Sequence, residues 1–225
     1  MNLDELRKVP LFYGLDQDYL SKISNIVSEQ TYGKNEPIIY ENEEGHRLYL
    51  IRKGRMKVSQ TNSEGKEVIL SILSKGDFFG EMALLGGASR SANVVSLEKS
   101  EVLIIDYHDF KQLIEDDSGI AIYLLKEMGK RQRKSNQVIK ELSLNNAEHR
   151  IVMSIIRLSE ELGRIKEGEV VIKNMPLQKD IAKMAGTSRE TVSRTLSKFE
   201  KEGYLKKNRR ELTIFDYSKF VDTFS

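Results

Sequence analysis

Short segments with strand character follow one another along the first half of the chain, and glycines separate them. The separating glycines are Gly33, Gly45, Gly54, Gly65 and Gly76. Short strands joined by regular turns predict a β-barrel or jelly roll. From about Asp109 onward the apolar residues recur with helical spacing instead, so the sheet is not expected to extend further. The chain is therefore predicted to be an α+β protein in which a barrel precedes a helical region.

The barrel region is predicted to contain five strands, with two helices before it. The strands are Pro37 to Tyr40, Leu48 to Arg52, Met56 to Gln60, Val68 to Leu73 and Val102 to Ile105. The helices, Leu3 to Val9 and Asp16 to Ser28, are expected to cover one end of the barrel. Gly65 lies in a polar, turn-rich sequence, which predicts a hairpin tip.

Composition excludes several kinds of site. The 225 residues include no cysteine, which excludes disulfides, thiolate zinc sites, cysteine-ligated iron–sulfur clusters and a cysteine nucleophile. The first residues lack the basic and apolar regions of a signal peptide, and no apolar run approaches the roughly 20 residues of a membrane span. We therefore expect a cytoplasmic protein. The net charge is only +2, but the residues from 143 onward are basic on balance, which permits binding to nucleic acid.

The segment around Gly80 carries groups that suit a sugar phosphate. Gly80 lets the main chain approach a ligand closely, and the residues after it are predicted to form a helical turn whose free N–H groups face an anion. Arg90 offers a cationic fork and Ser91 a hydroxyl donor for phosphate oxygens, while the Glu81 carboxylate can accept from a ribose hydroxyl. The alternative is that Gly80 is a turn residue and that Glu81 and Arg90 form an ordinary ion pair.

A heptad pattern runs through the helical region from Asp109 to Leu142. Its positions recur in steps of four or three: Ile120, Leu124, Met128, Arg131, Ser135, Val138 and Leu142. Such a pattern predicts the seam of a helix pair, but Arg131 and Ser135 occupy positions that Leu or Ile would normally fill. Two interpretations are open here: the polar residues fix register or oligomeric state, or a polar ligand lies against the seam.

Residues 177 to 199 are predicted to form a helix, a glycine turn and a second helix, which is a helix-turn-helix pattern. Ser188 can cap the second helix, and the apolar residues of that helix share one face. The opposite face would present arginines to guanine edges and a glutamate to a cytosine amino group. We expect DNA contacts at Gln178, Thr187, Ser188, Arg189, Glu190, Thr191, Ser193, Arg194 and Lys198. The alternative is an ordinary solvated helix.

The elements around this motif are predicted from caps and turn residues. A helix is expected from the N-cap Asn146 to about Leu162, with a hinge at residues 144–145 before it. Residues 163–168 are predicted to be a charged loop and residues 170–173 a strand, and Pro176 is expected to open the next helix. Residues 203–214 are expected to form a hairpin, or wing, whose basic tip lies along phosphates.

In combination, these motifs resemble the cyclic-AMP receptor protein and fumarate-nitrate-reduction regulator family of bacterial transcription factors, over essentially the whole chain. Gly80 to Leu85 with Arg90 to Ala92 resembles the family's phosphate-binding cassette, and Ser188 to Arg194 resembles its recognition helix. The resemblance implies a cyclic-nucleotide-binding-like sensor barrel over residues 1–108, a dimerisation helix over 109–143 and a winged helix-turn-helix DNA-binding domain over 144–225. It also implies a homodimer that binds double-stranded DNA and contacts RNA polymerase.

The resemblance further implies which residues hold a nucleotide. They are Gly80, Glu81, Met82, Ala83, Arg90, Ser91, Ala92, Arg131, Ser135 and Asn136. Cyclic AMP is the expected effector, with cyclic GMP as an alternative because the Asn136 amide both donates and accepts. The set of Arg189, Glu190 and Arg194 implies half-sites that resemble TGTGA, in an inverted repeat about one helical turn apart.

Three other functions are alternatives: the same architecture working without a nucleotide or with another effector, a nucleotide hydrolase that uses Glu81 as base, and the regulatory subunit of an enzyme. The sequence shows no hydrolase motif, and His46, His108 and His149 have no metal-ligand spacing, so we predict neither enzyme activity nor a metal. A regulatory subunit would give no reason for the arginines of the recognition helix.

Overall fold

The computed structural model describes residues 3–86 and 89–224. The chain divides into two compact units, and the boundary between them falls after Gln132. Helix α5 (Ser118–Leu144) crosses this boundary, so its first half belongs to the first unit and its second half to the other.

The first unit combines short helices with antiparallel strands. Its other helices are α1 (Leu3–Leu6), a 3-10 helix (Pro10–Phe12), α2 (Gln17–Ile26), α3 (Glu81–Gly86) and α4 (Tyr107–Asp116). Its strands are β1 (Ser28–Tyr32), β2 (Pro37–Ile39), β3 (Arg47–Lys53), β4 (Met56–Thr61), β5 (Glu67–Leu73), β6 (Phe78–Phe79), β7 (Asn93–Ser96) and β8 (Ser100–Asp106). Each of the five predicted strands is present, and the sequence patterns missed the short strands β1, β6 and β7.

The strands form two four-stranded sheets, in the orders β1-β8-β3-β6 and β2-β7-β4-β5. The predicted jelly-roll type is confirmed, although the sheets do not close into one barrel. The predicted hairpin tip at Gly65 joins β4 to β5, and Gly65 has a positive φ of 76° that suits glycine.

Strand β3 is apolar on both faces because it lies between two cores. Tyr49 and Ile51 belong to a core that both sheets share, whereas Leu48 and Leu50 pack with the helices. Successive residues of a strand point to opposite faces, so a strand covered on both sides needs an uninterrupted apolar run.

The helical region after residue 109 differs from its prediction. Asp117 separates α4 from α5, and its Oδ1 accepts a hydrogen bond from the Gly119 N–H at 2.7 Å. Ile120 and Leu124, predicted as seam positions, are buried in the same core as Phe110. The prediction that these two residues line a subunit seam is therefore wrong. Helical spacing alone cannot distinguish the face that packs on its own domain from the face left for a partner.

The second unit is built around α6 (Ala147–Leu162), which is buried from Ile151 to Ser159. The remaining elements are β9 (Gly163–Lys166), β10 (Glu169–Ile172), α7 (Gln178–Ala185), α8 (Arg189–Lys201), β11 (Leu205–Asn208), β12 (Glu211–Ile214) and α9 (Tyr217–Phe224). Their sheet has the order β11-β12-β10-β9.

Local rules predicted most of this unit. Asn146 caps α6 by accepting from the His149 N–H at 2.9 Å, as expected, and β11 and β12 form the predicted wing hairpin. The predicted loop at residues 163–168 is instead strand β9 and a tight turn, in which Glu167 and Gly168 both have positive φ. Pro176 does not open α7 but precedes its N-cap, Leu177.

Candidate ligand site and DNA interface

Gly80 lies where only glycine fits. Its φ is +89°, and a Cβ there would lie 2.6 Å from Nη1 of Arg90 and 2.7 Å from the carbonyl oxygen of Arg47. A side chain at this position would therefore clash with the chain itself, and the approach of a ligand to Gly80 stays a prediction.

Arg90 is a buried cation that donates hydrogen bonds to carbonyl oxygens. It is 6% exposed, and it donates from Nη1 to the Gly80 oxygen at 2.8 Å and from Nη2 to the Arg47 oxygen at 3.0 Å. Its guanidinium also lies 5.8 Å from the centre of the Tyr49 ring. Burial lowers the pKa of Arg90, while the nearby Tyr49 and Glu81 oppose that shift. A buried guanidinium held by neutral oxygens favours the approach of an anion.

Glu81 pairs with Arg131 of α5. Arg131 donates from Nη1 to Glu81 Oε1 at 2.7 Å and from Nη2 to the Phe78 oxygen at 2.6 Å. Its guanidinium also lies 4.5 Å from the centre of the Phe78 ring. The alternative prediction of a Glu81–Arg90 ion pair is therefore wrong, because Glu81 pairs with Arg131 of α5 instead.

The remaining cassette residues differ in exposure. Ala83 and Ala92 are buried and Met82 is exposed, and the Ser91 hydroxyl lies 3.2 Å from the Met82 sulfur. Gln60 of β4, which sequence reasoning missed, donates to the Ser91 carbonyl at 2.8 Å. Long-range contacts of this kind leave no local signal in the sequence.

The structure brings together the predicted ligand residues of the first unit, which are Gly80, Glu81, Met82, Ala83, Arg90, Ser91, Ala92 and Arg131. Ser135 and Asn136 lie in the part of α5 that belongs to the second unit, and both are exposed. Their contact with a nucleotide stays a prediction.

The helix-turn-helix forms as predicted in α7, the turn and α8. Gly186 ends α7 in the left-handed conformation, with a φ of 58°. Ser188 caps α8 by accepting from the Thr191 N–H at 3.1 Å. Val192, Leu196 and Phe199 are buried, which leaves the opposite face of α8 outward.

The outward face carries charges of both signs. Arg189, Glu190 and Arg194 are exposed. A hydrogen bond from its own backbone N–H, another from Ser188 and the charges of Arg189 and Arg194 lower the pKa of Glu190. The carboxylate is therefore held ionised as an acceptor, which is the form that could accept from a cytosine amino group.

The other predicted DNA residues differ in availability. Gln178, Thr187, Thr191 and Ser193 are half-buried on α7, the turn and α8. Lys198 is bound to Glu148 of α6, with 2.7 Å between Nζ and Oε1, and this bond raises its pKa. The Lys198 charge is therefore already compensated within the unit.

A groove of about 510 Å³ lies between α7, α8 and the wing. Arg210 fixes the wing beside α7 by donating from Nε and Nη2 to the Met175 oxygen at 3.3 and 3.2 Å. The cationic side chains along the groove are Lys179, Arg189, Lys207, Arg209 and Arg210. This concentration of cations beside the recognition helix suits phosphates of a nucleic acid.

Within residues 3–86 and 89–224, no cluster of three or more histidine, aspartate or glutamate side chains is arranged to bind a metal. No helix in the described part of the chain has both the length and the apolar character to span a bilayer.

Residues 29–117 match the cyclic nucleotide-binding domain, and residues 149–222 match the Crp-like helix-turn-helix domain. These two domains in one chain define a transcription regulator with a ligand-sensing domain.

The chain is similar in sequence to known proteins over most of its length. It is 31% identical over 201 residues to the cyclic AMP receptor protein of Thermus thermophilus, with 88% of each covered. It is 30% identical over 185 residues to the cAMP-activated global transcriptional regulator CRP of Salmonella typhimurium, with 82% of this chain and 88% of that protein covered. The chain belongs to the cyclic AMP receptor protein family, in the wider CRP/FNR group. A CooA mutant from Carboxydothermus hydrogenoformans shares the fold, with a TM-score of 0.81 at 24% identity over 100% of this chain and 96% of that one.

Proposed function

We propose that the protein is a homodimeric transcription regulator whose affinity for DNA is controlled by a cyclic nucleotide, with cyclic AMP as effector. The observation that carries the proposal is that one cassette holds both a buried cation, Arg90, and a buried carboxylate, Glu81. Arg131 binds Glu81 to α5. The names of the Thermus and Salmonella relatives support cyclic AMP.

The cassette residues have separate roles in this proposal. A guanidinium has five N–H donors, so the two bonds from Arg90 to carbonyl oxygens leave donors for a phosphate. The Ser91 hydroxyl adds a further donor, and Glu81 can accept from a ribose hydroxyl. Ser135 and Asn136 are proposed to contact the base, where the Asn136 amide would decide between adenine and guanine.

Control follows from the bond between Glu81 and Arg131. A ligand that engages Glu81 changes the surroundings of a side chain held by α5. The equilibrium shifts toward the DNA-competent dimer only if the ligand binds that form more tightly than the other.

We place the dimer seam on the face of α5 that carries exposed Ile122, Leu125 and Ile139. Positions 122, 125, 129, 132, 136 and 139 alternate in steps of three and four, as in a two-stranded coiled coil. Asn136 lies on this face, where one polar residue can fix register between subunits.

The outward face of α8 is proposed to read DNA in the major groove. Arg189 and Arg194 would bind guanine edges, and Glu190 would accept from a cytosine amino group. Two copies related by a two-fold axis would then bind TGTGA-like half-sites in an inverted repeat. A cytoplasmic location and contact with RNA polymerase belong to the same proposal.

DNA selection from a random pool, with no nucleotide, cyclic AMP or cyclic GMP, tests this proposal. We expect inverted repeats that resemble TGTGA to be enriched with cyclic AMP and much less without it. Equal enrichment in all three pools would show a regulator that acts without a nucleotide. Absence of any enriched sequence would refute the DNA-binding role.

A further inference from the structure

A buried ion pair joins the second half of α5 to α6. Nη1 of Arg157 lies 2.8 Å from Oε1 and 2.6 Å from Oε2 of Glu141, and Nη2 donates to the Ser154 hydroxyl at 3.2 Å. Both charged side chains are buried, and all three residues belong to the second unit. This pair plays no part in the proposed base contacts.

Further contacts hold the same end of α5. Lys134 pairs with Glu161 two helical turns before the Glu141–Arg157 pair. Beyond the helix, Arg150 donates from Nη1 to the Asn145 oxygen at 2.7 Å and from Nε to the Ala185 oxygen at 2.8 Å. The end of α5 is thereby connected to α6 and to the end of α7, the first helix of the helix-turn-helix.

Helix α6 is connected to the recognition helix as well. Its first turn carries Glu148, which is bound to Lys198 of α8. The direction in which α5 leaves this unit is therefore set by the same helix that holds α8.

The buried charges of Glu141 and Arg157 restrict how α5 can lie on α6, which apolar residues would not do. A buried ion pair adds little net stability compared with well-packed apolar side chains, but an unpaired charge there is costly. Only arrangements that place Glu141 on Arg157 satisfy both groups, so the pair selects one orientation of α5 on α6. Residue 141 is separated from the cassette contact at Arg131 by ten positions of one continuous helix.

We infer that Glu141 and Arg157 are positioning residues for DNA recognition: they fix the end of α5 on the DNA-reading unit and so set the separation of the two recognition helices. This inference rests on the proposed dimeric function. The pair should therefore matter only for DNA that carries two half-sites. Binding to one half-site does not depend on the separation of the two recognition helices.

The test uses the full-length protein and a matched set of duplexes: one half-site, and inverted repeats whose half-site spacing varies in single base pairs. The variant Glu141→Met/Arg157→Met removes both charges and keeps apolar volume. The variant Glu141→Arg/Arg157→Glu restores a pair with reversed polarity. Lys140→Met is the control, because it removes a cation from the exposed side of the same helical turn.

For the double methionine variant we expect unchanged affinity for one half-site, about a tenfold loss on the optimal inverted repeat and a broadened spacing preference. The reversed pair should recover much of the spacing preference, and Lys140→Met should resemble the wild type. Parallel loss on half-site and repeat would show a purely structural pair and overturn the inference. So would an unchanged spacing preference in the double methionine variant.

Binding to all duplexes is measured with and without cyclic AMP, so that failure of the effector proposal can be distinguished from failure of this inference. A wild type that responds to spacing but not to cyclic AMP refutes the effector only. If the wild type shows no preference for repeats, the dimeric function fails, and hydrogen exchange of residues 135–144 still tests the contact. Faster exchange in the double methionine variant, reversed in the swapped pair, is the result expected there, and equal exchange would overturn the inference.

Discussion

Oε1 of Glu81 lies 2.7 Å from Nη1 of Arg131, although the two residues are 50 positions apart in the chain. Glu81 is only 4% exposed, so its negative charge depends on a nearby cation. The same carboxylate stands beside Gly80 at the start of α3. A change at the candidate ligand site therefore acts directly on a residue of α5.

Replacing Arg131 tests this dependence. Arg131→Met should destabilise the first unit by about 3 kcal/mol. This value is near the lower end of the free-energy costs of breaking a buried ion pair, because Arg131 itself is partly exposed. Denaturant unfolding followed by circular dichroism measures the loss. Arg131→Lys, which keeps the charge but not the fork, should lose less. Equal midpoints for Arg131→Met and the wild type would contradict the assigned role.

Replacing Arg90 tests the phosphate site. Arg90→Lys keeps one positive charge but cannot bind two carbonyl oxygens and a phosphate in fixed directions. We expect cyclic AMP affinity to fall by about 100-fold, equivalent to one or two charge-assisted hydrogen bonds. Isothermal titration calorimetry measures the dissociation constant for cyclic AMP. Arg47→Lys is the matched control, because Arg47 holds Arg90 through its backbone oxygen. Equal loss in both variants would show that the loss does not come from the Arg90 fork, because both variants keep the positive charge.

Local signals predicted the elements that depend on neighbouring residues. The caps at Asn146 and Ser188 and the glycine turn at Gly186 follow from short-range hydrogen bonds and backbone conformation. Strand β9 was missed because charged residues on an edge strand resemble a loop. The division into three domains stays a prediction, while the structure shows that the second half of α5 packs with the C-terminal unit.

The candidate site was only partly predictable because its partners come from distant segments. The cassette pattern predicts Gly80, Glu81 and Arg90 as ligand residues and leaves a Glu81–Arg90 ion pair as the alternative, whereas in the structure Glu81 pairs with Arg131. Arg131, the observed partner of Glu81, was expected as a polar residue of the heptad pattern and as a ligand residue, but no local signal linked it to Glu81. Gln60 belongs to a strand with no unusual pattern, so its bond to the Ser91 carbonyl could be found only from the fold.

Two cations of α8 are expected to differ in their effect on DNA binding. Arg189→Ala should cost about 1–3 kcal/mol and relax the preference at one guanine. Lys198→Ala should change affinity much less, because its charge is already bound to Glu148. Fluorescence anisotropy with single-base variants of the selected site measures both. An equal, sequence-independent loss in the two variants would show that Arg189 contacts phosphate and not a base.

Adjacent leucines in α5 separate the proposed subunit seam from the domain core. Leu125 is 70% exposed and Leu124 only 3%. A carboxylate at position 125 would therefore remain in water in a monomer, whereas one at position 124 would be buried without a partner. We expect Leu125→Asp to leave the native circular dichroism spectrum but sediment as a monomer, and Leu124→Asp to unfold the first unit. Because a monomer presents one recognition helix, Leu125→Asp should also lose the preference for inverted repeats. A dimeric Leu125→Asp protein would place the seam on another face.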